Sequence, residues 1–587
     1  MNYNLNNNIN KGQRASNYTA FKNLLQLITH EKKNLLLAFG AILLNALLNL
    51  MGPLLVSYAV DHFIVKKNYH GLILCTSVLI GMYLIALFTS YFQTKLMGRV
   101  GQRTLFTLRN AIFFKIQQLP VAFFNQNKAG DLISRVNNDT DKLNQFFSQA
   151  LMQFIGSLAG MIGAGIFLIS LNFKMGLVTL FPALIILIFT RILSPWVKRK
   201  NAINLKTVGA LSAEIQESLG NFKAIVAFNR RDYFRKRFSE ANNNNYQTAT
   251  SAGIANNIYL PFYSMCSSIA QLLVLVIGVY LITQGEFTIG LVLAYLGYAN
   301  YFYSPLRQLA TLWANFQVAM AGWDRISEIL NLESDLEIIP KKEVTPASTA
   351  LVEFRNVHFG YPEGKEILHN INLNLEPGKT YALVGPTGGG KTTTASLIAR
   401  LYDPTQGVVL LSGRDIRSYS NEERTNKIGF ILQEPFLFTG TIKENILYGN
   451  IAYQNASNEE LLNVIKASNL EKLLAIFEQG LDTKVVGGGE GISLGQKQII
   501  AFMRAVLRKP DLLILDEATA NIDTVTEQLL EEILQKLPTT TTKVIIAHRL
   551  NTIENADEIY FVNSGEVVKA GSLQNAMEKI MEGSRES

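Results

Sequence analysis

The chain of 587 residues holds only two cysteines, Cys75 and Cys266, each inside an apolar run. Two isolated thiols build neither a disulfide framework nor a zinc site. Charge is also scarce: 17% of residues are charged against 48% hydrophobic. That is too apolar for an ordinary soluble protein of this length, which is itself too long for one core. No internal repeat is evident, and no acidic cluster inside the apolar runs marks a cation route. Met1 to Asn10 is Asn-rich and has no apolar core followed by a small-residue cleavage site. It also lacks the Arg/Ser richness of a transit peptide. A disordered cytoplasmic tail is expected over residues 1–17.

The basic residues are unevenly placed. Residues 1–339 carry 29 Lys and Arg against 15 Asp and Glu, whereas residues 340–587 carry 25 against 31. The basic excess therefore lies in the half with long apolar runs. It reads as loops beside anionic lipid, and a nucleic-acid partner is not expected.

Six apolar segments, roughly 34–60, 71–92, 149–170, 175–197, 256–284 and 288–312, can each supply the ~20 residues of a membrane helix. Connections near 61–70, 171–174 and 285–287 are short. Those at 93–148 and 198–255 are long, polar and helical in pattern. The short loops hold only Lys66, Lys67 and Lys174, while the long ones hold many Lys and Arg, from Arg99 to Lys142 and from Lys198 to Arg237. The positive-inside rule makes the long loops cytoplasmic, and six spans put both termini there too. Before the first span, Phe21, Leu24, Leu25 and Ile28 recur at helical spacing and predict an amphipathic helix at the membrane surface. Residues 332–350, charged and containing Pro340 and Pro346, read as a linker. From Leu351 short strands alternate with helices, an α/β pattern that runs to about residue 575. Residues 576–587 form a polar tail.

The chemistry centres on Gly385-Pro386-Thr387-Gly388-Gly389-Gly390-Lys391-Thr392, which fits the phosphate-binding loop G-x-x-x-x-G-K-[ST]. An apolar strand, Tyr381 to Val384, precedes it, and a helix from Thr393 follows. Glycines let backbone N–H groups turn toward phosphate oxygens, and the helix N-terminus adds partial positive charge. Lys391 suits the β- and γ-phosphates of ATP, and the Thr392 hydroxyl suits Mg²⁺. Downstream, Leu512 to Glu517 is an apolar strand ending in two carboxylates. Asp516 suits a water-mediated hold on Mg²⁺, and Glu517 suits polarising the attacking water.

Ile492-Ser493-Leu494-Gly495-Gln496 resembles the L-S-G-G-Q signature of ABC transporters. With six preceding spans, nearly the whole chain, from about 18 to 575, resembles an ABC exporter half-transporter. The resemblance implies a membrane all-α six-helix domain (18–331) joined to a cytoplasmic α/β P-loop ABC ATPase domain (351–575). It implies two nucleotide domains that sandwich ATP, each P-loop facing the partner's signature. Ser493, Gly495 and Gln496 would then contact the partner's ATP. Tyr361, before Pro362, matches the aromatic residue that stacks on adenine, and Thr393 adjoins the P-loop. Gln433 matches the glutamine at Mg²⁺ and the attacking water, Asp523 the loop that signals across the sandwich, and His548 the histidine at the γ-phosphate. Phe123-Phe124 with Gly130 to Arg135, and Ala213 to Phe228, resemble the two coupling segments.

Two positions depart from that pattern. Leu494 stands where the signature has glycine, and Gly487 stands where exporters often carry glutamate. With the carboxylates and His548 present, the resemblance implies the catalytically intact subunit of a heterodimer, with a homodimer that tolerates leucine as the alternative. The expected function is ATP-driven export of amphipathic drugs or lipid-like compounds across a bacterial plasma membrane. A lipid flippase or peptide exporter is the alternative within the class, and a nucleotide-gated channel the alternative outside it. Within the spans, Tyr295, Tyr298 and Phe302 share a face, with Tyr301 and Tyr303 nearby, that predicts cavity lining, aromatic packing or interfacial anchoring. Asn45 and Asn49 predict interhelical hydrogen bonds or substrate contact.

Overall fold

The computed structural model describes residues 3–5, 31–334, 336, 338–340, 350–361, 364, 366–516, 524–546, 553–571 and 574–575. The amphipathic segment Phe21 to Ile28, most of the linker and the 576–587 tail lie outside them. The chain forms two compact units: Lys11–Gln117 with Gly130–Asn331, and Met1–Asn10 with Gln118–Ala129 and Leu332–Ser587.

The first unit is a bundle of long rods: α1 (Lys32–Ile64) and α2 (Tyr69–Gln117), then, after a short helix α3 (Val121–Gln126), α4 (Ala129–Leu171) and α5 (Phe173–Gly220). A second short helix, α6 (Phe222–Ala227), precedes α7 (Arg231–Thr283) and α8 (Ile289–Leu330). Five of these rods, α1, α2, α4, α5 and α7, are long and apolar enough to cross a membrane. Three of them, α2, α5 and α7, reach 48 to 53 residues, far beyond the ~20 that hydrocarbon requires, so each continues well past one bilayer face. The polar stretches 93–148 and 198–255 are these continuations. The sixth expected span starts α8, where tyrosines and Asn300 dilute the apolar character.

Those tyrosines pack. Tyr295 donates its hydroxyl to the Leu168 carbonyl at 2.7 Å, Tyr298 to Leu50 at 2.9 Å and Tyr303 to Thr179 at 2.8 Å, and all three are buried. Each phenol thus finds an acceptor on a neighbouring rod, as a buried hydroxyl in an apolar bundle must. The packing alternative therefore holds for these three. Asn45 donates from α1 to the Ala86 carbonyl and Thr89 on α2 at 2.8 and 3.0 Å, the expected interhelical bond.

Where α4 and α8 meet, the bundle is tied by charge. The Arg135 side chain, 1% exposed, pairs with Asp131 at 2.9 Å and Glu328 at 2.8 Å. Arg325 reaches Asp131 and, at 3.0 Å, the fully buried Asp139, which also holds Lys142 at 2.8 Å. Removing Arg135 would leave the half-buried Glu328 without this partner and Asp131 to Arg325 alone, a loss of ~1–3 kcal/mol. Arg135→Ala should therefore lower thermal stability in detergent clearly, and Arg135→Lys less so. A melting curve superimposable on wild type for the alanine variant would contradict this account of the α4–α8 tie.

The second unit contains an antiparallel sheet in the order β2-β1-β4-β5, from β1 (Val352–Gly360), β2 (Glu366–Leu375), β4 (Gln406–Leu411) and β5 (Arg414–Asp415). Beside it lies a six-stranded sheet in the order β12-β11-β3-β10-β9-β6. Its strands are β3 (Thr380–Val384), β6 (Ile428–Ile431), β9 (Leu512–Asp516), β10 (Thr542–Ile546), β11 (Glu558–Asn563) and β12 (Glu566–Lys569). All but β12 pair in parallel. A two-stranded ribbon joins β7 (Gly440–Thr441) to β8 (Lys484–Val485). The longer helices of this unit are α9 (Lys391–Ile398), α10 (Asn458–Ala467), α11 (Leu494–Val506) and α12 (Thr524–Lys536). Parallel strands β3 and β9 are buried along almost their whole length, as central strands covered on both faces are.

This unit also holds the start of the chain. Tyr3 and Leu5, within the segment expected as a tail, are buried. Tyr3 stacks edge-on against Phe123 of α3 and donates its hydroxyl to the Glu333 carbonyl at 3.1 Å. Asn127 bonds the backbone on both sides, at 2.9 Å to the Tyr3 carbonyl and 3.1 Å from the Leu5 N–H.

Candidate functional site

Strand register builds the site. Ile546 of β10 pairs with Leu383 of β3 on one side and Asp516 of β9 on the other, and Leu515 pairs with Ile431 of β6. Carboxyl ends of parallel strands open a crevice for ligands, and here the phosphate loop, Asp516 and Gln433 all leave that edge. Glu517 follows Asp516 in the chain, and His548 stands two positions beyond Ile546. Glu517, Asp523, His548 and Pro362 lie outside the described residues.

The loop from Gly385 to Gly390 is shaped by what stands behind it. Gly385, Gly388 and Gly390 have φ of 146°, 83° and 110°, conformations that L side chains rarely adopt. A β-carbon on Gly385 would collide with the Val562 carbonyl of β11, and one on Gly389 would approach that carbonyl to 2.6 Å. The backbone can therefore pack this closely only without side chains. Pro386 and Thr387 complete the turn. Lys391, buried, points its ammonium back to the carbonyls of Gly385 and Pro386 at 2.9 and 3.0 Å, so its charge stays inside the loop.

Thr392 places its hydroxyl 3.3 Å from the buried Asp516 carboxylate. A hydroxyl and a carboxylate oxygen side by side are the hard donors that Mg²⁺ prefers, so the residues present fit the ion. Gln433 is exposed two residues beyond β6. Tyr361 is half-buried, its hydroxyl 3.4 Å from Thr393 and its ring edge-on to Tyr402. The structure thus brings together the loop, Thr393, Tyr361 and Asp516.

Ser493 opens α11 through a reciprocal cap. Its hydroxyl accepts from the Gln496 N–H at 3.2 Å, while the Gln496 side chain accepts from the Ser493 N–H at 3.0 Å. Helix initiation at the signature serine is as expected. Leu494, at the first helical position, is 37% exposed, and Gly495 follows it. The preceding glycines 487, 488 and 489 all have positive φ, with Lys497 bracing the Gly488 carbonyl at 2.9 Å. A β-carbon at 487 would lie 3.7 Å from the Glu490 carboxyl carbon. The Glu490 carboxylate thus stands beside position 487, a proximity that a position-by-position reading of the chain overlooks.

Sequence reading also missed how α3 is held. Asn125 donates to the Tyr402 hydroxyl at 2.7 Å. Burial pushes the Tyr402 hydroxyl above its usual pKa, so it stays a neutral partner. No local motif announces this pair, because its members are far apart in sequence.

Residues 35–306 match the family described as the ABC transporter transmembrane region, and residues 368–520 match that described as ABC transporter. The chain is 34% identical over 551 residues to the uncharacterized ABC transporter ATP-binding protein YfiC of Bacillus subtilis, covering 92% of this chain and 89% of that one. It is 33% identical over 493 residues to the fatty acid ABC transporter ATP-binding/permease protein of Mycobacterium bovis, covering 84% and 77%. It is 31% identical over 570 residues to the ATP-dependent lipid A-core flippase of Escherichia coli K12, covering 96% of each. The chain belongs to the ABC transporter family. It is an ABC half-transporter, a multi-pass helical membrane domain followed by an α/β ATP-binding domain. ATP hydrolysis in such a transporter is coupled to export, and a half-transporter works as a dimer.

The close approach at Gly389 gives a direct test of the loop as the phosphate cradle. Gly389→Ala must shift the backbone against Val562, and a shift of this size should weaken ATP binding at least ~10-fold. Titration with a fluorescent ATP analogue measures this, and unchanged affinity would argue against the cradle.

Proposed function

We propose that this ABC transporter moves a lipid-like amphiphile across a bacterial plasma membrane by alternating access, as one half of a heterodimer. The observation that carries the proposal is Lys391, Thr392 and Asp516 at one strand edge, in a chain that also holds the membrane bundle. Relatives named as a fatty acid transporter and a lipid A-core flippase favour lipid-like cargo over a peptide. Both termini are on the cytoplasmic side, where ATP is.

In this reading Lys391 and the loop N–H groups hold the β- and γ-phosphates, and Tyr361 stacks on adenine. Thr392 and Asp516, with Gln433, would hold Mg²⁺, which neutralises charge on the phosphates when bound. Glu517 takes up the proton of the attacking water, and His548 orients the γ-phosphate. Asp523 relays the state of the site to the partner. Ser493, Gly495 and Gln496 serve the partner's ATP across the dimer. Helix α3 and the turn around α6 are the coupling segments. Phe222 and Phe228 at that turn are exposed apolar side chains, suited to a socket on the second subunit.

Asymmetry rests on Leu494. Its exposed side chain projects from the helix start that would cap the partner's γ-phosphate, where glycine permits closer approach. The productive site then combines this chain's Glu517 with the partner's signature. Glu517→Gln should keep ATP binding and lower turnover ~10²–10⁴-fold. Ser493→Ala should reduce turnover far less than the matching change in the partner. Full transport-coupled ATPase from this chain purified alone as a homodimer would refute the heterodimer, and near-normal turnover in the Glu517 variant would refute the catalytic role. An impermeant label on intact cells should react near Lys67 but not at Met1 or Ser587; labelling of either terminus would overturn the topology.

A further inference from the structure

Within the membrane bundle, α1, α2, α4 and α8 line an open-sided cavity of about 290 Å³. Its polar lining is mostly amide: Asn45 and Asn49 from α1, Gln93 from α2, Gln153 from α4 and Gln308 from α8, joined by the hydroxyls of Ser157 and Tyr301. Ile42, Leu50 and Met152 supply apolar wall, while Gly156 and Gly160 leave room. A volume near 300 Å³ is the low end for a ligand pocket: it suits a headgroup, with an alkyl chain running outside it.

The orientation of the amides gives the cavity a sense. Gln93 has a buried side-chain oxygen with no hydrogen-bond partner among the described residues. A buried acceptor left unmatched is costly, and in a native site it calls for a donor. Asn49 commits its NH₂ to Asn45, at 2.8 Å to the carbonyl and 2.9 Å to the side-chain oxygen. What Asn49 offers is therefore its own carbonyl oxygen. Two acceptor oxygens on facing rods ask for hydroxyl or amide hydrogens on the occupant.

Charge is missing from this lining: none of its described residues is ionisable except the tyrosine. Lys142 on α4 lies eleven residues before Gln153, ~16 Å along the rod, and is committed to Asp139 at 2.8 Å. Lys95 on α2 lies over the Tyr91 ring. A carboxylate, which only accepts, could take donors from Ser157, Tyr301, Gln153 and Gln308, but it would leave the Gln93 oxygen unmatched and would find no counter-ion among the described lining residues. An ammonium would donate well but would find no carboxylate.

We propose that this cavity is a headgroup subsite for an uncharged amphiphile bearing hydroxyl or amide donors, with Gln93 as the selecting acceptor. This rests on the reading of the chain as a lipid-like exporter and narrows the substrate class within it. It separates this chain from a carrier of free fatty acid despite the 33% identity to one.

The test uses four amphiphiles with matched eighteen-carbon chains: monoolein, methyl oleate, oleate and oleylamine. The full-length chain, with the partner subunit its ATPase requires, is placed in phosphatidylcholine nanodiscs. Binding is read by native mass spectrometry, and ATPase stimulation is expressed relative to each sample's own basal rate. Monoolein should act at a concentration ~10-fold or more below methyl oleate, which lacks the donors, and below oleate and oleylamine. Gln93→Leu should raise the monoolein requirement ~10-fold and leave methyl oleate unaffected. Gly160→Leu fills the cavity from a position where a β-carbon meets nothing within 4 Å, and should abolish the preference for monoolein by a separate route. Thermal melts check that both variants fold, and the four-lipid comparison on the unmodified protein needs neither.

Preference for oleate or oleylamine, equal response to monoolein and methyl oleate, or a monoolein preference that survives both variants would overturn the headgroup assignment. Oleate-stimulated ATPase with ATP-driven oleate movement would do so while leaving the exporter reading intact. If none of the four binds or stimulates and no lipid is moved, the lipid-export reading falls and the subsite falls with it.

Discussion

Parallel strands β3, β10 and β9 run in a register that ends Leu383, Ile546 and Asp516 level with one another. The chemistry of the ATP-binding unit depends on that pairing. A slip of one residue would turn Asp516 to the opposite face of the sheet and away from Thr392. The register is specified by burial: β3 and β9 are apolar on both faces, so their fit against the layers above and below admits one alignment. On the other side of β3, β11 supplies the Val562 carbonyl that makes glycine obligatory at 385. The phosphate loop is thus a consequence of the sheet, held in shape by the strand behind it.

The membrane unit obeys a different constraint. Hydrocarbon offers no partner to a polar group, so each one must be satisfied within the bundle or face a cavity. Tyr295, Tyr298 and Tyr303 answer by donating to carbonyls of three different rods, which makes α8 the element against which the others are positioned. Asn45 answers by bonding α2. Among the described residues Gln93 leaves its oxygen unmatched, beside the cavity.

Much of this is legible in the sequence, for reasons that separate local from long-range physics. The phosphate loop, the strand before it and the capped helix at Ser493 are written in contiguous residues, and each local preference agrees with the fold. The rods are visible because an unbroken apolar run of ~20 residues is more than one buried helix face needs and as much as a bilayer demands. Three features are not legible. Whether the α8 tyrosines line a cavity or pack depends on which rods face them. Glu490 beside Gly487 depends on a tight turn through four positive-φ glycines, 487, 488, 489 and 491. The Arg135 knot depends on α8 returning to α4 after nearly two hundred residues. Periodicity marks a face but does not say what meets it.

The grip on α3 shows how the two kinds of constraint are joined. This six-residue helix is too short to be stable alone, yet it is fixed by contacts that belong to the ATP-binding unit. Asn125 bonds Tyr402, which adjoins Tyr361. Phe123 is buried against Tyr3, and Tyr3 bonds the Glu333 carbonyl just past α8. The chain before α3 ends α2 and the chain after it begins α4, so this short helix is joined covalently to two rods. Within a few residues of that second attachment stand Asp131 and Arg135, which bind α4 to α8. That charged tie reaches α8, the rod whose tyrosines bond to α1, α4 and α5. Packed rods of this kind shift between discrete arrangements and do not deform continuously, so the charged tie and the three tyrosine bonds hold α1, α4, α5 and α8 as one set.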